Sequence, residues 1–166
     1  QKGHMTDRFS KAVELMGHNE QSIQIGGIFA LEKVAKEDAK TYHSTVYELL
    51  CAFVRDHATL KVLSLEEENK RDSSKLAVQT AMTVIGRRIN CEYKVTLNLS
   101  EAFFEGVNLN GASLIGANLY GSNLNGASLI RADICVADLS RVSFIVDDPR
   151  GADPRRANIF EADLNG

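Results

Sequence analysis

The sequence predicts an α+β protein, an α-helical first half followed by a β-helix in which the chain winds around its own core. Three observations carry this. Up to about residue 96, apolar residues recur at helical spacing between clear stop signals. From Leu97 to Gly166 the period becomes five, kept through fourteen consecutive blocks without an insertion. Within that period, three residue classes each hold their own position.

The helical elements come first. Residues 1–5, Gln1-Lys2-Gly3-His4-Met5, read as a cleaved-tag and cloning scar and are set aside. Phe9, Ala12, Val13 and Met16 predict a short amphipathic helix, with Thr6 or Asp7 as cap and Gly17 as stop. A second helix is expected from about Glu20 to Lys36, with Ile28, Leu31, Val34 and Ala35 on one face. Its Gly26-Gly27 pair predicts close packing or a break. The third, roughly Thr41 to Asp56, has Val46, Leu49, Leu50, Phe53 and Val54 as its buried stripe. The charged stretch from Thr59 to Asp72 reads as a solvated loop or helix end. A fourth helix starts at Ser73 or Ser74, buries Leu76, Ala77, Met82 and Ile85, and stops at Gly86. Arg87-Arg88 follow where the helix dipole favours cations.

The repeat half is more regular. Taking the third residue of each block as its centre, twelve of the fourteen centres, Leu99 and Leu119 among them, are large and apolar. Every alanine in this half falls two residues before a centre and every glycine two after, while Asn, Asp or Ser mostly precedes the centre. The side chains of those last residues bond to nearby backbone in turns. An α-helix would scatter a five-residue period around its surface, and a flat strand would alternate faces at every residue. Only a chain that turns a corner in each block keeps two inward positions of unequal size.

In Ala117-Asn118-Leu119-Tyr120-Gly121 and Ala137-Asp138-Leu139-Ser140-Arg141 the chain resembles the pentapeptide-repeat family, whose pattern is a small residue, Asn or Asp, Leu, then two variable residues. The resemblance covers the whole second half and implies a right-handed quadrilateral β-helix, one side per pentapeptide and four sides per coil. Residues 97–166 would then make about 3.5 coils, roughly 15 Å tall. Leu99, Leu119, Leu139 and Ile159 would form one inward ladder; Phe104, Leu124, Phe144 and Leu164 would form the next. Pro149 and Pro154 occupy two centres without a backbone donor, so those sides are expected to be distorted with the register intact.

The first half, through Asp7-Arg8-Phe9, Gly26-Gly27-Ile28-Phe29-Ala30-Leu31-Glu32-Lys33-Val34-Ala35, Tyr47-Glu48-Leu49-Leu50-Cys51-Ala52-Phe53-Val54-Arg55 and Thr83-Val84-Ile85-Gly86-Arg87-Arg88, resembles the helical region before the repeats in a group of bacterial, often cyanobacterial, members. Some relatives carry transmembrane helices further upstream, so membrane attachment is expected only through regions outside this sequence. An open β-helix end exposes unpaired backbone. Residues 6–96 are therefore expected to be a helical capping domain on the repeat domain, 97–166. Beyond Gly166 the far end would be covered by further chain, a second molecule in a homodimer, or edge residues such as Phe160.

Composition narrows the function. The net charge is −3 and mixed, with no polybasic face for nucleic acid or anionic lipid. Cys51, Cys91 and Cys135 form no CxxC and fit free thiols in a reducing cytoplasm, or on the cytoplasmic face of a membrane. His18, His43 and His57 lack metal-ligand spacing and read as surface histidines, and no phosphate or dinucleotide loop is present. Cys51 reads as a buried core thiol. The aspartates recur because the repeat calls for them. Neither catalysis nor a cofactor or metal is expected, which leaves a non-enzymatic protein-interaction or scaffold module. Its candidate surface is the outward apolar set Ile115, Tyr120, Ile130, Cys135, Val136 and Phe160, with Ile115, Cys135 and Val136 on one face. The alternative is mimicry of duplex DNA, as in family members that protect bacterial topoisomerases such as gyrase. Nine carboxylates against five arginines in 97–166 make a weakly acidic, short column for that role.

Overall fold

Helix signals in the first half produce four helices: α1 (Lys2–Met16), α2 (Gln21–Glu37), α3 (Ala39–His57) and α4 (Leu65–Gly86). A computed structural model describes residues 2–58, 65–88 and 95–143. The stops at Gly17 and Gly86 hold. Two of the expected starts do not, since α1 begins at Lys2 rather than beside a Thr6 or Asp7 cap, and α4 at Leu65 rather than Ser73 or Ser74. Extending a formed helix is cheap and starting one is costly, so a helix runs through a polar candidate cap unless something breaks it. Asp38 does act as a cap, accepting the Thr41 N–H at 3.2 Å and starting α3 at Ala39.

The helices pack α1 on α2, and α2 and α3 on α4 and on each other. Ile28, Leu31, Val46, Leu50, Val54, Ala81 and Ile85 are fully buried between them. Gly26-Gly27 does not break α2. A Cβ on Gly27 would stand 2.3 Å from the Met16 backbone nitrogen, so this glycine is what lets the end of α1 lie against α2. Two expectations fail here. Leu76 is exposed, because α4 buries the face carrying Ala77, Val78, Ala81, Met82, Val84 and Ile85, and turns Leu76, Thr80 and Thr83 away from it. His43 is buried rather than superficial, with its ring 4.7 Å from that of Tyr47 one turn along α3.

In the repeat half, parallel bridges join residues twenty apart: Asn98 to Asn118, Phe103 to Asn123, Asn108 to Ser128, Ser113 to Asp133, Asn118 to Asp138 and Asn123 to Ser143. Twenty residues therefore make one coil of four sides. Each side gives a single bridged residue and, among the described residues, no extended strand. Five-residue sides explain this, because every corner uses up residues that cannot also lie in a ladder.

The corners also explain the glycines. Every fifth residue from Glu101 to Arg141 has φ between 57° and 70°, and five of these are Gly106, Gly111, Gly116, Gly121 and Gly126. A Cβ in this left-handed region crowds the following carbonyl. Asn and Asp before the centre brace the same corners: Asn118 Oδ1 accepts the Tyr120 N–H at 3.0 Å, and Asn98, Asn108, Asn123, Asp133 and Asp138 make the same bond two residues on. Ser128 is too short for this. Asn110, one coil earlier, instead accepts from both Ser128 Oγ and the Ile130 N–H. Inside the column Leu99, Leu119 and Leu139 stack, as do Phe104 and Leu124, Leu109 and Leu129, and Leu114 and Ile134, all buried. Phe144, Ile159, Leu164, Pro149 and Pro154 lie outside the described residues.

Where the two halves meet, the helices supply partners for the first coil. Within the column each bridged residue directs its N–H to the coil before it, as Asn118 does to Leu97 O and Asn123 to Ala102 O. The first coil has no earlier coil. Three of its four bridged residues find acceptors in the helical half instead: Phe103 N–H bonds the Ala58 carbonyl, Asn108 N–H the Gln79 Oε1 at 2.8 Å, and Ser113 N–H the Gly86 carbonyl at 2.8 Å. Carbonyls on the same edge are met too. Gln79 Nε2 donates to Asn108 O at 2.8 Å, and the Arg88 guanidinium donates to Ser113 O and, at 3.5 Å, to Ile115 O.

Candidate functional site

Corners and sides decide which side chains the column offers to solvent. Ile115 and Cys135 lie one coil apart on one side, linked where Gly116 N–H donates to Cys135 O at 2.9 Å, and both are half-buried. Val136 forms the corner next to Cys135 and is 56% exposed; Ile130, on the preceding side, is 42% exposed. Tyr120, on the following side, is half-buried beneath the Arg141 guanidinium, 5.6 Å from its ring centroid. The structure thus brings Ile115, Cys135 and Val136 together and leaves Ile130 and Tyr120 on adjoining sides. Phe160 and Cys91 lie outside the described residues.

Val136 is unusual in its backbone. It adopts φ 58° with a β-branched side chain, at a corner whose counterpart one coil earlier is Gly116. Glu101, Arg131 and Arg141 are the other non-glycine corners, and all three are unbranched at Cβ and exposed.

Several polar groups of the helical half have structural partners. Glu32 is buried and bonded by Arg87 Nε at 2.8 Å and by Lys36 Nζ at 2.8 Å. Burial pushes its carboxyl up, but the bonds from Arg87 and Lys36 outweigh this and hold it below the usual carboxylate range. Burial pushes the Cys51 thiol up to about 12, which keeps it protonated and unreactive. His57 bonds the Phe53 carbonyl at 2.9 Å and stacks on its ring, and desolvation lowers the pKa of His43. Among the described residues, no group of three or more His, Cys, Asp or Glu is placed to hold a metal ion. A cleft of about 230 Å³ between α4 and the first coil is lined by Gln79, Thr83, Arg87, Asn108 and Asn110. Gln79 and Asn108 are already bonded to each other across it.

The contacts that Gln79 and Arg88 make with the first coil were not legible in the sequence. Gln79 and Arg88 reach partners 25 to 29 residues away, a distance no local pattern reports. Only the cationic pair after Gly86 gave a hint, and Arg88 does donate to the helix-end carbonyl of Ile85 at 3.3 Å.

Compared with known families, residues 97–126 match the one described as pentapeptide repeats (8 copies). Residues 97–126 are pentapeptide repeats of that family. The matched blocks coincide with the first coil and half of the second, and the pentapeptide register continues beyond them through the bridges to Asp133, Asp138 and Ser143. Pentapeptide-repeat proteins are generally structural or interaction proteins rather than enzymes. A search of curated proteins finds no match. Among the described residues no helix is long and apolar enough to cross a membrane.

Proposed function

We propose that this protein is a non-enzymatic interaction module of the cytoplasm, a right-handed pentapeptide column closed at its first coil by the helical half, binding another protein through the corner at Val136. The observation that carries this reading is Val136 itself. A left-handed backbone costs an L-residue about 1–2 kcal/mol, and a β-branched side chain fits it worst. Glycine at five other corners avoids that cost. A costly residue that leaves an apolar side chain more than half exposed is accounted for by a contact made there. Ile115 and Cys135 extend the patch along the same side. Arg131 and Arg141, exposed at neighbouring corners, place cations on a surface that a duplex mimic would need acidic, which favours this reading over gyrase protection.

The test replaces Val136 by Gly and Ile115 and Ile130 by Ser. The triple variant is expected to keep the wild-type circular dichroism spectrum while losing the proteins that crosslink to the wild-type chain in its native cell and any self-association seen by light scattering. Unchanged crosslinking and unchanged mass would remove this corner from the function.

A further inference from the structure

We propose that the cleft between α4 and the first coil binds a small hydroxy acid, a task separate from that of the Val136 corner. The cleft lies where the helical half leaves the edge of the first coil partly unmet. In the column the carbonyls of Tyr120, Asn125, Ile130 and Cys135 each accept an N–H from the coil before, Ile130 from Gly111 at 2.9 Å. The Asn110 carbonyl holds the equivalent place in the first coil and so faces the helical half. Its neighbours along the chain, the carbonyls of Asn108 and Ser113, are met by Gln79 and Arg88. Among the described residues Asn110 O accepts no hydrogen bond.

Donors line the same opening. Asn108 Oδ1 accepts the Asn110 N–H at 2.9 Å, and Asn110 Oδ1 accepts the Ile130 N–H at 2.8 Å. A main-chain N–H only donates, so these bonds turn each carboxamide oxygen to the backbone and leave its NH2 as the outer end. Both side chains are exposed, and neither NH2 has a hydrogen bond among the described residues. Arg87 places Nε and Nη2 on Glu32, keeps Nη1 over, and is steadied 5.6 Å above the Phe29 ring. Lys36 shares Glu32, so two cations against one carboxylate leave one positive charge. Among the described residues no Asp or Glu lines the cleft. Surplus donors beside one positive charge suit a carboxylate, which only accepts and carries one negative charge. The Asn110 carbonyl suits a hydroxyl next to it. The cleft's volume of about 230 Å³ is below the roughly 300–1,000 Å³ that drug-sized ligands occupy, which limits the ligand to a few carbons.

Titration of the full chain with lactate tests this, followed through the side-chain amide signals of Asn108 and Asn110 in proton–nitrogen NMR spectra at constant ionic strength. Lactate is expected to shift both signals saturably. Propionate lacks the hydroxyl and lactamide lacks the charge, and each is expected to bind about tenfold more weakly. Asn108→Asp keeps an acceptor for the Asn110 N–H, as Asp133 and Asp138 do for Cys135 and Ser140, but replaces the NH2 by a charged oxygen. It is expected to keep the wild-type circular dichroism spectrum and to lose lactate binding, read at Asn110. Should that variant not fold, Arg87→Gln in the same titration is expected to weaken lactate about tenfold. No saturable shift with lactate would remove the site. Equal binding of lactamide or of propionate would overturn the hydroxy acid as its ligand, and undiminished binding by the folded variant would place lactate elsewhere on the chain.

Discussion

In the helical half each core residue meets neighbours that occur nowhere else in the chain, whereas in the repeat half Leu119 lies between Leu99 and Leu139 and the same contact recurs one coil away. Gly27 against the Met16 backbone has no counterpart; Gly111 at its corner has several. Unique contacts make a substitution an all-or-none event, and repeated ones make it an increment in a sum over neighbouring coils.

This contrast can be broken or sharpened by substitution. The largest effect is expected from Gly27→Ala, whose new methyl must push α1 from α2, with a loss of about 3 kcal/mol in denaturant unfolding. A loss below about 1 kcal/mol would mean that the α1–α2 contact yields easily. Gly111→Ala meets nothing within 4 Å, so only its backbone conformation is penalised, and about 1–2 kcal/mol is expected. Equal costs at the two glycines would erase the distinction. Ser122 occupies an inward small position, and its buried hydroxyl has no hydrogen-bond partner among the described residues. Ser122→Ala, matching the alanines at equivalent positions, should therefore raise stability by about 1 kcal/mol, read as a higher melting temperature.

The smallest effect concerns pH. Because the folded Glu32 carboxyl is held below its ordinary value of 4.5, its contribution is fully present above that value and is lost as pH falls through the folded pKa. Melting curves of wild type and Glu32→Gln should differ at neutral pH and converge on acidification. Parallel curves down to the lowest pH at which the chain folds would show that Glu32 holds no such role.

The two halves also differ in how much of them could be read in advance. Twenty-residue bridging, inward centres and the bonding role of Asn and Asp were all legible, because each depends on residues inside one block or its multiples. Helix starts were not, since the backbone of α1 and α4 runs through residues that resemble caps. Leu76 and His43 were misread for a related reason, as which face of a helix is covered depends on partners far along the chain. The candidate patch was legible as a set of outward apolar residues. The strain at Val136 was not, because a corner's φ is not evident until the column is built.

Asn110 does for Ser128 and Ile130 what a local Asn does elsewhere, from one coil away. The obligation to brace a corner thus belongs to the stack and can pass from one block to its neighbour. Such a column can drift in its letters while holding its shape, since a lost bracing residue is made good by a gain directly above it. The family match spans residues 97–126 here, and the coils carry on bridging to Ser143. In proteins built this way the outline of the architecture outlives its spelling.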